Sequence, residues 1–220
     1  MSKFEYILWD WNGTVVDDFS SNLALINHLL RERELPVITA ERYRTIFTFP
    51  IIDFYRSAGF CCEGEEYTRL VQEYSYKYSL SISSIPLVQG VRDIFELAQI
   101  NGMEQIILSA SNKQTIRTQM KYYGDIDHYF SEIIAQDNDF AYGKVALAEK
   151  WLAESDIHNR KRVVIIGDTR YDYKISKQLN CDCFLVDVGH QDLKRVRSEL
   201  GIEYIPDMIT LRQYLFEQQC

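Results

Sequence analysis

Short apolar runs without polar alternation occur along the chain and predict strands buried on both faces. The predicted strands cover residues 6–9, 105–108, 133–135, 163–166 and 183–188. Between the later runs, apolar residues recur at helical spacing. The helices predicted there cover residues 91–100, 113–123 and 144–153, with another ending at about 179. This alternation predicts an α/β fold: a Rossmann-like three-layer core around a central parallel sheet.

Residues 17–85 have helical periodicity that no predicted strand interrupts. Asp17 and Asp18 offer side-chain oxygens that could cap the first of these helices. Further helix starts are predicted at Thr39, Pro50 and about Glu65. We therefore expect a small helical cap domain at 17–85, inserted into a core that consists of residues 1–16 and 86–220.

The composition is that of a globular protein, because 46% of the 220 residues are hydrophobic and 13% are aromatic. The formal net charge of −8 argues against nucleic acids or anionic membranes as partners, since both require a basic surface. The sequence contains no signal-peptide pattern and no apolar stretch of transmembrane length. Its five cysteines lack the paired spacing of a zinc site. We expect a cytoplasmic protein with reduced thiols.

The first apolar run ends at Asp10, and Gly13 then permits a sharp turn. In open α/β sheets, ligands bind at the carboxyl ends of the strands. A carboxylate held there by a rigid strand can act as a nucleophile or bind a metal. The alternative is that Asp10 is an ordinary loop aspartate.

Two later segments offer groups that suit a phosphate. Small hydrogen-bonding residues follow the second strand at 109–112, and hydroxyls and free amides at a helix N-terminus favour anions. Their alternative role is ordinary helix capping. Lys144 lies in the first turn of a predicted helix, where the helix dipole disfavours a cation. Its position is explained if the ammonium meets an anion; the alternative is a solvated surface lysine.

The fourth strand delivers Asp168 to its carboxyl end, with Gly167 allowing close approach and Asp172 following four positions later. Two carboxylates that face one cleft repel each other unless a cation lies between them. Oxygen-only ligands favour Mg²⁺. The alternative is that Asp168 merely caps the next helix, a role that would not require Asp172.

Together these segments resemble the haloacid dehalogenase-like hydrolase superfamily. Its nucleophile motif, Asp-x-Asp-x-Thr, matches residues 10–14, where Asn12 replaces the second aspartate. Its other motifs are matched, in order, by Ser109, by Lys144, and by Gly167-Asp168 with Asp172. The resemblance covers nearly the whole chain. It extends to the phosphoglycolate phosphatase and beta-phosphoglucomutase-like subgroup, whose α-helical cap is inserted where residues 17–85 lie.

The resemblance implies a Mg²⁺-dependent phosphatase that acts on a small phosphorylated metabolite. Asp10 would attack phosphorus and form an aspartyl-phosphate, with Asn12 and Lys144 as the other catalytic positions. The implied metal ligands are the Asp10 carboxylate, the backbone carbonyl of Asn12, and Asp168, with Asp172 ordering waters or Lys144 behind them. The implied phosphate-binding residues are Thr14, Ser109, Ala110, Asn112 and Lys144.

Asn12 departs from the superfamily pattern, in which the second aspartate protonates the leaving oxygen and later activates water. An amide cannot exchange a proton near neutral pH, and general acid–base help is worth about 10²–10⁴-fold. We therefore expect slow turnover of alkyl phosphates, which Asn12→Asp would raise at least about tenfold.

Three interpretations stay open. The protein could be a phosphatase for good leaving groups, or one that recruits a proton donor from the cap or the substrate. It could be a phosphotransferase with a persistent phosphoenzyme. It could also be a non-hydrolytic protein that binds phosphorylated ligands on a retained fold.

The sequence says little about the substrate. Residues 47–50 (Phe-Thr-Phe-Pro) are the candidate cap segment facing the cleft, with Arg44 or Arg56 as anion contacts. His190 follows the last predicted strand, and we expect an exposed loop histidine there; the alternative is a position near the rim of the site. The oligomeric state is not predicted.

Overall fold

The computed structural model describes residues 3–124 and 126–217, which form an α/β fold. Its strands are β1 (Tyr6–Trp9), β2 (Glu104–Asn112), β3 (Glu132–Gln136), β4 (Val163–Gly167) and β5 (Asp182–Leu185). Within the described residues these strands form one sheet in the order β3-β2-β1-β4-β5, and every neighbouring pair is parallel. The predicted parallel sheet is confirmed.

The helices cover the sheet on both faces and also fill the segment between β1 and the return to the core. In chain order they are α1 (Phe19–Glu32), α2 (Ala40–Ile46), α3 (Ile51–Ala58), α4 (Gly64–Ser81), α5 (Val91–Ile100), α6 (Lys113–Tyr122), α7 (Val145–Glu154), α8 (Arg170–Leu179), α9 (Leu193–Leu200) and α10 (Met208–Phe216). Short 3-10 turns lie at Ile82–Ser84, Ile126–Tyr129 and Arg160–Arg162.

Strand β1 lies at the centre of the sheet, which explains its continuous apolar sequence. Ile7 and Trp9 pack into the cluster formed with α5, α6 and α10, whereas Leu8 packs into the cluster formed with α7 and α8. Because successive side chains of a strand point to opposite faces, a strand covered on both faces needs apolar residues at every position. The predicted three-layer core is therefore confirmed.

The register of strand pairing aligns the carboxyl ends of the strands that precede the site residues. Trp9 pairs with Ile107 on one side and with Ile166 on the other. The Asp10 N–H then donates to the Ile166 carbonyl at 2.8 Å, which continues the ladder by one residue. The residues that follow β1, β2 and β4 consequently meet at one edge of the sheet.

Several predicted boundaries were wrong. Strand β2 extends to Asn112 instead of ending at Leu108, because after an irregularity Asn112 still pairs with Gln136 of β3. Strand β5 ends at Leu185, since Val186 pairs instead with Ile205 in an isolated bridge. The sequence patterns also did not identify α9 and α10.

The four cysteines within the described residues are free thiols, as expected. Cys220, also expected to be reduced, lies outside the described residues. Among the described helices, none combines the length and apolar character needed to cross a membrane.

Helices α1–α4 surround an apolar cluster that is separate from the two clusters on the sheet. The chain enters and leaves this helical segment side by side, because Val16 pairs antiparallel with Leu87 and Asp17 N–H donates to the Pro86 carbonyl at 2.9 Å. The division into a cap at 17–85 and a core at 1–16 and 86–220 stays a prediction.

Candidate active site

Asp10 lies immediately after β1, buried at the sheet edge with only 7% of its surface exposed. Its Oδ1 atom accepts a hydrogen bond from the Trp11 N–H at 2.8 Å and lies 2.6 Å from the Lys144 ammonium. Burial raises the pKa of Asp10 to about 8, despite the opposing charge of Lys144. This carboxyl group therefore gains from a further cation nearby.

Lys144 precedes α7 and is 1% exposed, so it is not a surface lysine. Its ammonium lies 2.6 Å from Asp10 Oδ1 and 2.7 Å from Asp172 Oδ1, and it donates to the Leu108 carbonyl at 3.0 Å. Burial alone would lower the pKa of Lys144, but the charges of Asp10 and Asp172 outweigh it and raise that pKa. The unfavourable position at a helix N-terminus is thus offset by two carboxylates.

Asp168 does not cap the helix that follows it, because Thr169 occupies the N-cap position of α8. Asp172 Oδ2 accepts from the Thr169 N–H at 3.1 Å and from its hydroxyl at 2.6 Å, which forms a capping box. The other Asp172 oxygen faces Lys144. Asp172 therefore connects the start of α8 to the lysine that holds Asp10.

Asp168 is 1% exposed and receives two hydrogen bonds from the loops around it. The His190 N–H donates to Oδ2 at 2.5 Å and the Thr14 hydroxyl donates to Oδ1 at 3.4 Å. Burial raises the pKa of Asp168 to about 6. Thr14, expected to bind phosphate, is directed at this carboxylate.

Three buried carboxylates, those of Asp10, Asp168 and Asp172, present oxygen atoms within 4.8 Å of one another. Burial raises the pKa values of Asp10 and Asp168, although the charge of Lys144 opposes that rise. Oxygen donors are the ligands that Mg²⁺ prefers. The three carboxylates could therefore bind a divalent cation.

Gly13 and Gly189 allow two loops to close around Asp168. Gly13 has φ +73°, and a Cβ atom there would lie 2.6 Å from Asp168 Oδ2. A Cβ atom on Gly189 would lie 2.0 Å from the same oxygen. Neither position can carry a side chain without displacing the carboxylate, so the sharp turn predicted at Gly13 is also a close approach.

The amide of Asn12 is hydrogen-bonded through both of its polar atoms. Its Oδ1 accepts from the Ser111 hydroxyl at 2.5 Å, and its Nδ2 donates to Asp18 Oδ2 at 2.6 Å and to the Tyr78 hydroxyl at 2.9 Å. An amide suits this position better than a carboxylate, because its neighbour Asp18 is itself an acceptor.

Asp18 occupies the N-cap position of α1, but its side chain makes no capping bond there. Its fully buried carboxylate instead accepts hydrogen bonds from five donors. These are Asn12 Nδ2, Gly13 N–H, Asn22 Nδ2, the Tyr78 hydroxyl and His190 Nε2. Burial opposes its ionisation, but His190 and these hydrogen bonds outweigh burial and lower the pKa of Asp18. Asp18 thus lies at the start of α1 as expected, but its side chain does not cap that helix.

His190 is buried, with 3% of its surface exposed, so the expectation of a solvent-exposed loop histidine was wrong. Its Nε2 lies 3.0 Å from Asp18 Oδ1 and its Nδ1 lies 3.0 Å from the Tyr43 hydroxyl. Its ring stacks on Phe47 with centroids 4.7 Å apart. Burial would lower the pKa of His190, but Asp18 outweighs it and raises that pKa.

One cavity of about 120 Å³ opens between the sheet edge and the helical segment. It brings together most of the residues that the sequence identified: Asp10, Asn12, Ser109, Ala110, Asn112 and Asp168. Lys144, which is not among the lining residues, contacts Asp10, and Asp172 contacts Lys144. Phe47 and Phe49 of the candidate cap segment also line the cavity.

The two arginines suggested as anion contacts are engaged elsewhere. The Arg44 guanidinium lies over the Phe19 ring at 4.2 Å, and Arg56 pairs with Asp53 at 3.1 Å on the surface. Neither is among the residues that line the cavity in the described part of the chain.

The segment after Leu108 caps the following helix and also lines the cavity. Ser109 is buried and its hydroxyl oxygen accepts from the Ser111 N–H at 3.1 Å. Asn112 caps α6 by accepting from the Gln114 N–H at 2.8 Å, as the capping alternative proposed, and it also lines the cavity.

The sequence did not assign Asp18, Tyr43 or Tyr78 to this site. Asp18 carried a usable signal, because it lies four positions after the motif at 10–14. The two tyrosines carried none, because their contacts with Asn12, Asp18 and His190 join positions 60 to 147 residues apart in sequence. Ser111 lies within the segment at 109–112, and the position of His190 after the last predicted strand had indicated the rim of the site as one alternative.

A family model described as haloacid dehalogenase-like hydrolase matches residues 7–186. This range includes every residue that the sequence assigned to the site. No curated protein matches the chain.

Solved structures of similar fold cover nearly the full length of the chain. A protein described as a predicted phosphatase from Clostridium acetobutylicum has a TM-score of 0.80 at 16% identity, covering 97% of this chain and 99% of its own. A predicted phosphoglycolate phosphatase from Haemophilus somnus 129PT has 0.78 at 15%, covering 96% and 97%. Protein Tyrosine Kinase A from Mycobacterium tuberculosis has 0.78 at 20%, covering 96% and 98%. At these identities the similarity shows the fold alone. The three proteins that share this fold are described with different functions.

Proposed function

The chain belongs to the haloacid dehalogenase-like hydrolases, and we propose that it is a Mg²⁺-dependent phosphatase acting on a small phosphorylated metabolite. The observation that carries this proposal is the buried carboxylate of Asp10, held by Lys144 at 2.6 Å and opening into a cavity that Asp168 also lines. A rigidly held carboxylate beside a buried cation is the arrangement that phosphoryl transfer needs.

In the proposed reaction Asp10 attacks phosphorus, the bond from phosphorus to the leaving oxygen breaks, and an aspartyl-phosphate forms. Water then cleaves the acyl phosphate, which releases inorganic phosphate and restores the carboxylate. Lys144 reduces the repulsion between Asp10 and the anionic phosphoryl group. Hydrogen-bond donors of the segment at 109–112 would bind the phosphoryl oxygens, and Thr14 would hold Asp168 in place.

Mg²⁺, held by Asp10, the backbone carbonyl of Asn12, and Asp168, would neutralise charge on the phosphoryl oxygens when bound. Asp172 contributes through Lys144, because it contacts that ammonium at 2.7 Å and fixes it from the start of α8.

Asn12 limits the reaction, since its amide has no proton to give to a leaving alkoxide. We therefore propose that alkyl phosphates are turned over slowly and that good leaving groups are favoured. The same observation favours a second candidate, a phosphotransferase whose phosphoenzyme persists because no carboxylate at position 12 activates water. A non-hydrolytic protein that binds phosphorylated ligands is the third candidate.

The test is phosphate release by the unmodified protein over a panel of alkyl, aryl and acyl phosphates, with and without Mg²⁺. Asp10→Asn, which keeps the shape of the side chain, serves as the blank. Mg²⁺-dependent release above the blank supports the phosphatase. Stoichiometric labelling of Asp10 without turnover favours the phosphotransferase. No release and no labelling with any compound would overturn both enzymatic proposals.

A further inference from the structure

We propose that the substrate is an aryl phosphate monoester, whose leaving group is a small uncharged phenol that occupies the apolar part of the cavity. This inference rests on the proposed phosphatase function and names its substrate class. Three features of the cavity carry it: an aromatic lining, the absence of a cation for an anionic leaving group, and an amide at position 12.

Part of the cavity lining is apolar and mostly aromatic. This part consists of Ile26, Phe47, Phe49, Ile51, Phe54 and Tyr55, which come from α1, α3 and the segment between α2 and α3. Phe47 lies with its ring centroid 5.3 Å from that of Phe54 and 5.6 Å from that of Phe49. A flat ring that enters here replaces water and gains aromatic contacts at similar spacings.

The charge of the lining disfavours an anionic leaving group. Within the described residues, no lysine or arginine lines the cavity, whereas Asp10, Asp139 and Asp168 do. The imidazole of His190 is already paired with the buried carboxylate of Asp18. A carboxylate on the leaving group would therefore lose its hydration without gaining a partner, which is costly in a buried site.

Several polar groups of the lining are already engaged within the protein. Asn22 Nδ2 donates to Asp18 at 2.6 Å, and Asn22 Oδ1 accepts from the Tyr74 hydroxyl. The Tyr43 hydroxyl is hydrogen-bonded to His190. A ligand hydroxyl could bond to these groups only by breaking the internal bonds. The cavity volume of about 120 Å³ is well below the ~300–1,000 Å³ of sites for drug-sized ligands, so it suits one ring.

The amide of Asn12 also favours an aryl leaving group over an alkyl one. A phenol has a pKa of about 10, whereas that of water, to which alkanols are close, is about 15.7. When Asp10 attacks an aryl phosphate, the phosphorus–oxygen bond breaks, and the phenolate departs with its electron pair and takes a proton from solvent afterwards. An alkoxide would need that proton during bond cleavage, which the Asn12 amide cannot supply.

The experiment compares phenyl phosphate, ethyl phosphate and phosphoglycolate as substrates of the unmodified protein with Mg²⁺, using Asp10→Asn as the blank. We expect kcat/KM for phenyl phosphate to exceed both others at least about 100-fold, within the range that a missing general acid imposes. If phosphoglycolate or ethyl phosphate is hydrolysed as well as phenyl phosphate, this inference is overturned while the phosphatase function stands.

A binding measurement separates the cavity from the chemistry. Phenylphosphonate and phosphonoacetate have the same phosphonate group and cannot transfer it. The difference between their affinities, measured by calorimetric titration, therefore reports only how the cavity binds the attached group. We expect phenylphosphonate to bind at least about tenfold more tightly; equal or reversed affinities overturn the inference. If no phosphate ester is hydrolysed, the phosphatase proposal fails, and this titration still decides whether the cavity prefers an aryl group.

Ile51 offers a matched pair of variants, because its side chain is half-buried and lines the cavity. Ile51→Lys supplies the missing cation, and Ile51→Met supplies an unbranched side chain without charge. We expect Ile51→Lys to bind phosphonoacetate at least about tenfold more tightly than Ile51→Met does, with the opposite order for phenylphosphonate. Identical ligand preferences in the two variants would contradict the assignment of this cavity to the leaving group.

Discussion

Asn12→Asp is the substitution for which sequence and structure lead to different expectations. From the sequence, an aspartate at position 12 restores a general acid and raises the turnover of alkyl phosphates. The structure adds Asp18, whose Oδ2 lies 2.6 Å from Asn12 Nδ2. The introduced carboxylate would therefore face another carboxylate where the protein now has a donor–acceptor hydrogen bond.

The expected loss of stability follows from the distance between Asn12 Nδ2 and Asp18 Oδ2. Two charges 2.6 Å apart repel each other by ~6 kcal/mol at an effective dielectric constant of about 20. Holding a proton on an aspartate at pH 7 costs only about 4 kcal/mol, since its unfolded pKa is about 3.9. The pair therefore keeps one proton when folded, and the variant loses up to about 4 kcal/mol of stability at pH 7.

In the folded variant, the repulsion between the two carboxylates raises the pKa of the pair above the value in the unfolded chain. This raised pKa sets the sign of the pH dependence of stability. The stability of Asn12→Asp equals that of the parent near pH 4 and falls progressively as the pH rises toward 7. In Asn12→Asp with Asp18→Asn, the carboxylate and the amide exchange places, which removes the repulsion, but Asn22 Nδ2 loses an acceptor and His190 loses its counter-charge, so only part of the stability returns. We expect the tenfold gain on alkyl phosphates only in this double variant.

The assay is urea unfolding of the parent, the single variant and the double variant at pH 5 and pH 7. Asn159→Asp is the control, because Asn159 is exposed and its Oδ1 accepts from the Lys161 N–H at 3.1 Å, which an aspartate preserves. A single variant as stable as the parent at pH 7 would refute the direct contact between positions 12 and 18. A single variant that alone gains tenfold on ethyl phosphate would refute the restriction that Asp18 imposes.

Three further predictions concern the buried charges. Asp10→Asn should abolish phosphate release while the far-ultraviolet circular dichroism is unchanged; residual release would exclude Asp10 as the nucleophile. Lys144→Met should lower the free energy of urea unfolding by about 3–5 kcal/mol, because Asp10 and Asp172 lose their buried partner. The exposed Lys150→Met should change it by less than about 0.5 kcal/mol, and equal losses would contradict this reasoning. The affinity for Mg²⁺, measured by calorimetry, should rise from pH 6 to pH 8, since protons compete for Asp10 and Asp168, whose pKa values are about 8 and 6; an affinity independent of pH would argue against these ligands.

The strands that build the site could be predicted because a strand buried on both faces has a continuous apolar sequence. Strands β1 and β4 are covered on both faces, so every position is apolar, and the first polar residue marks the strand end. That reasoning located Asp10 and Asp168 at the sheet edge where the structure brings them together. The helix starts at Thr39 and Pro50 were equally local and are confirmed.

Lys144 shows where local reasoning becomes incomplete. Its position at a helix start was recognised as unfavourable for a cation, but the sequence could not decide between solvent and an anion. The parallel order β3-β2-β1-β4-β5 decides it, because this order brings the start of α7 beside the ends of β1 and β4. The lysine is buried as a consequence of that topology.

The sequence by itself determined the α/β class, the strand ends that carry the carboxylates, and the residue types suited to phosphate chemistry. Only the tertiary structure decided that Asp18 accepts from Asn12 and His190. It also decided that the cavity lining includes an aromatic group and, in the described residues, no lysine or arginine. The physical reason is the sequence separation over which each interaction acts. Periodicity and capping act over a few residues, whereas Asp18 and His190 meet across 172 positions because the helical segment packs on the sheet edge.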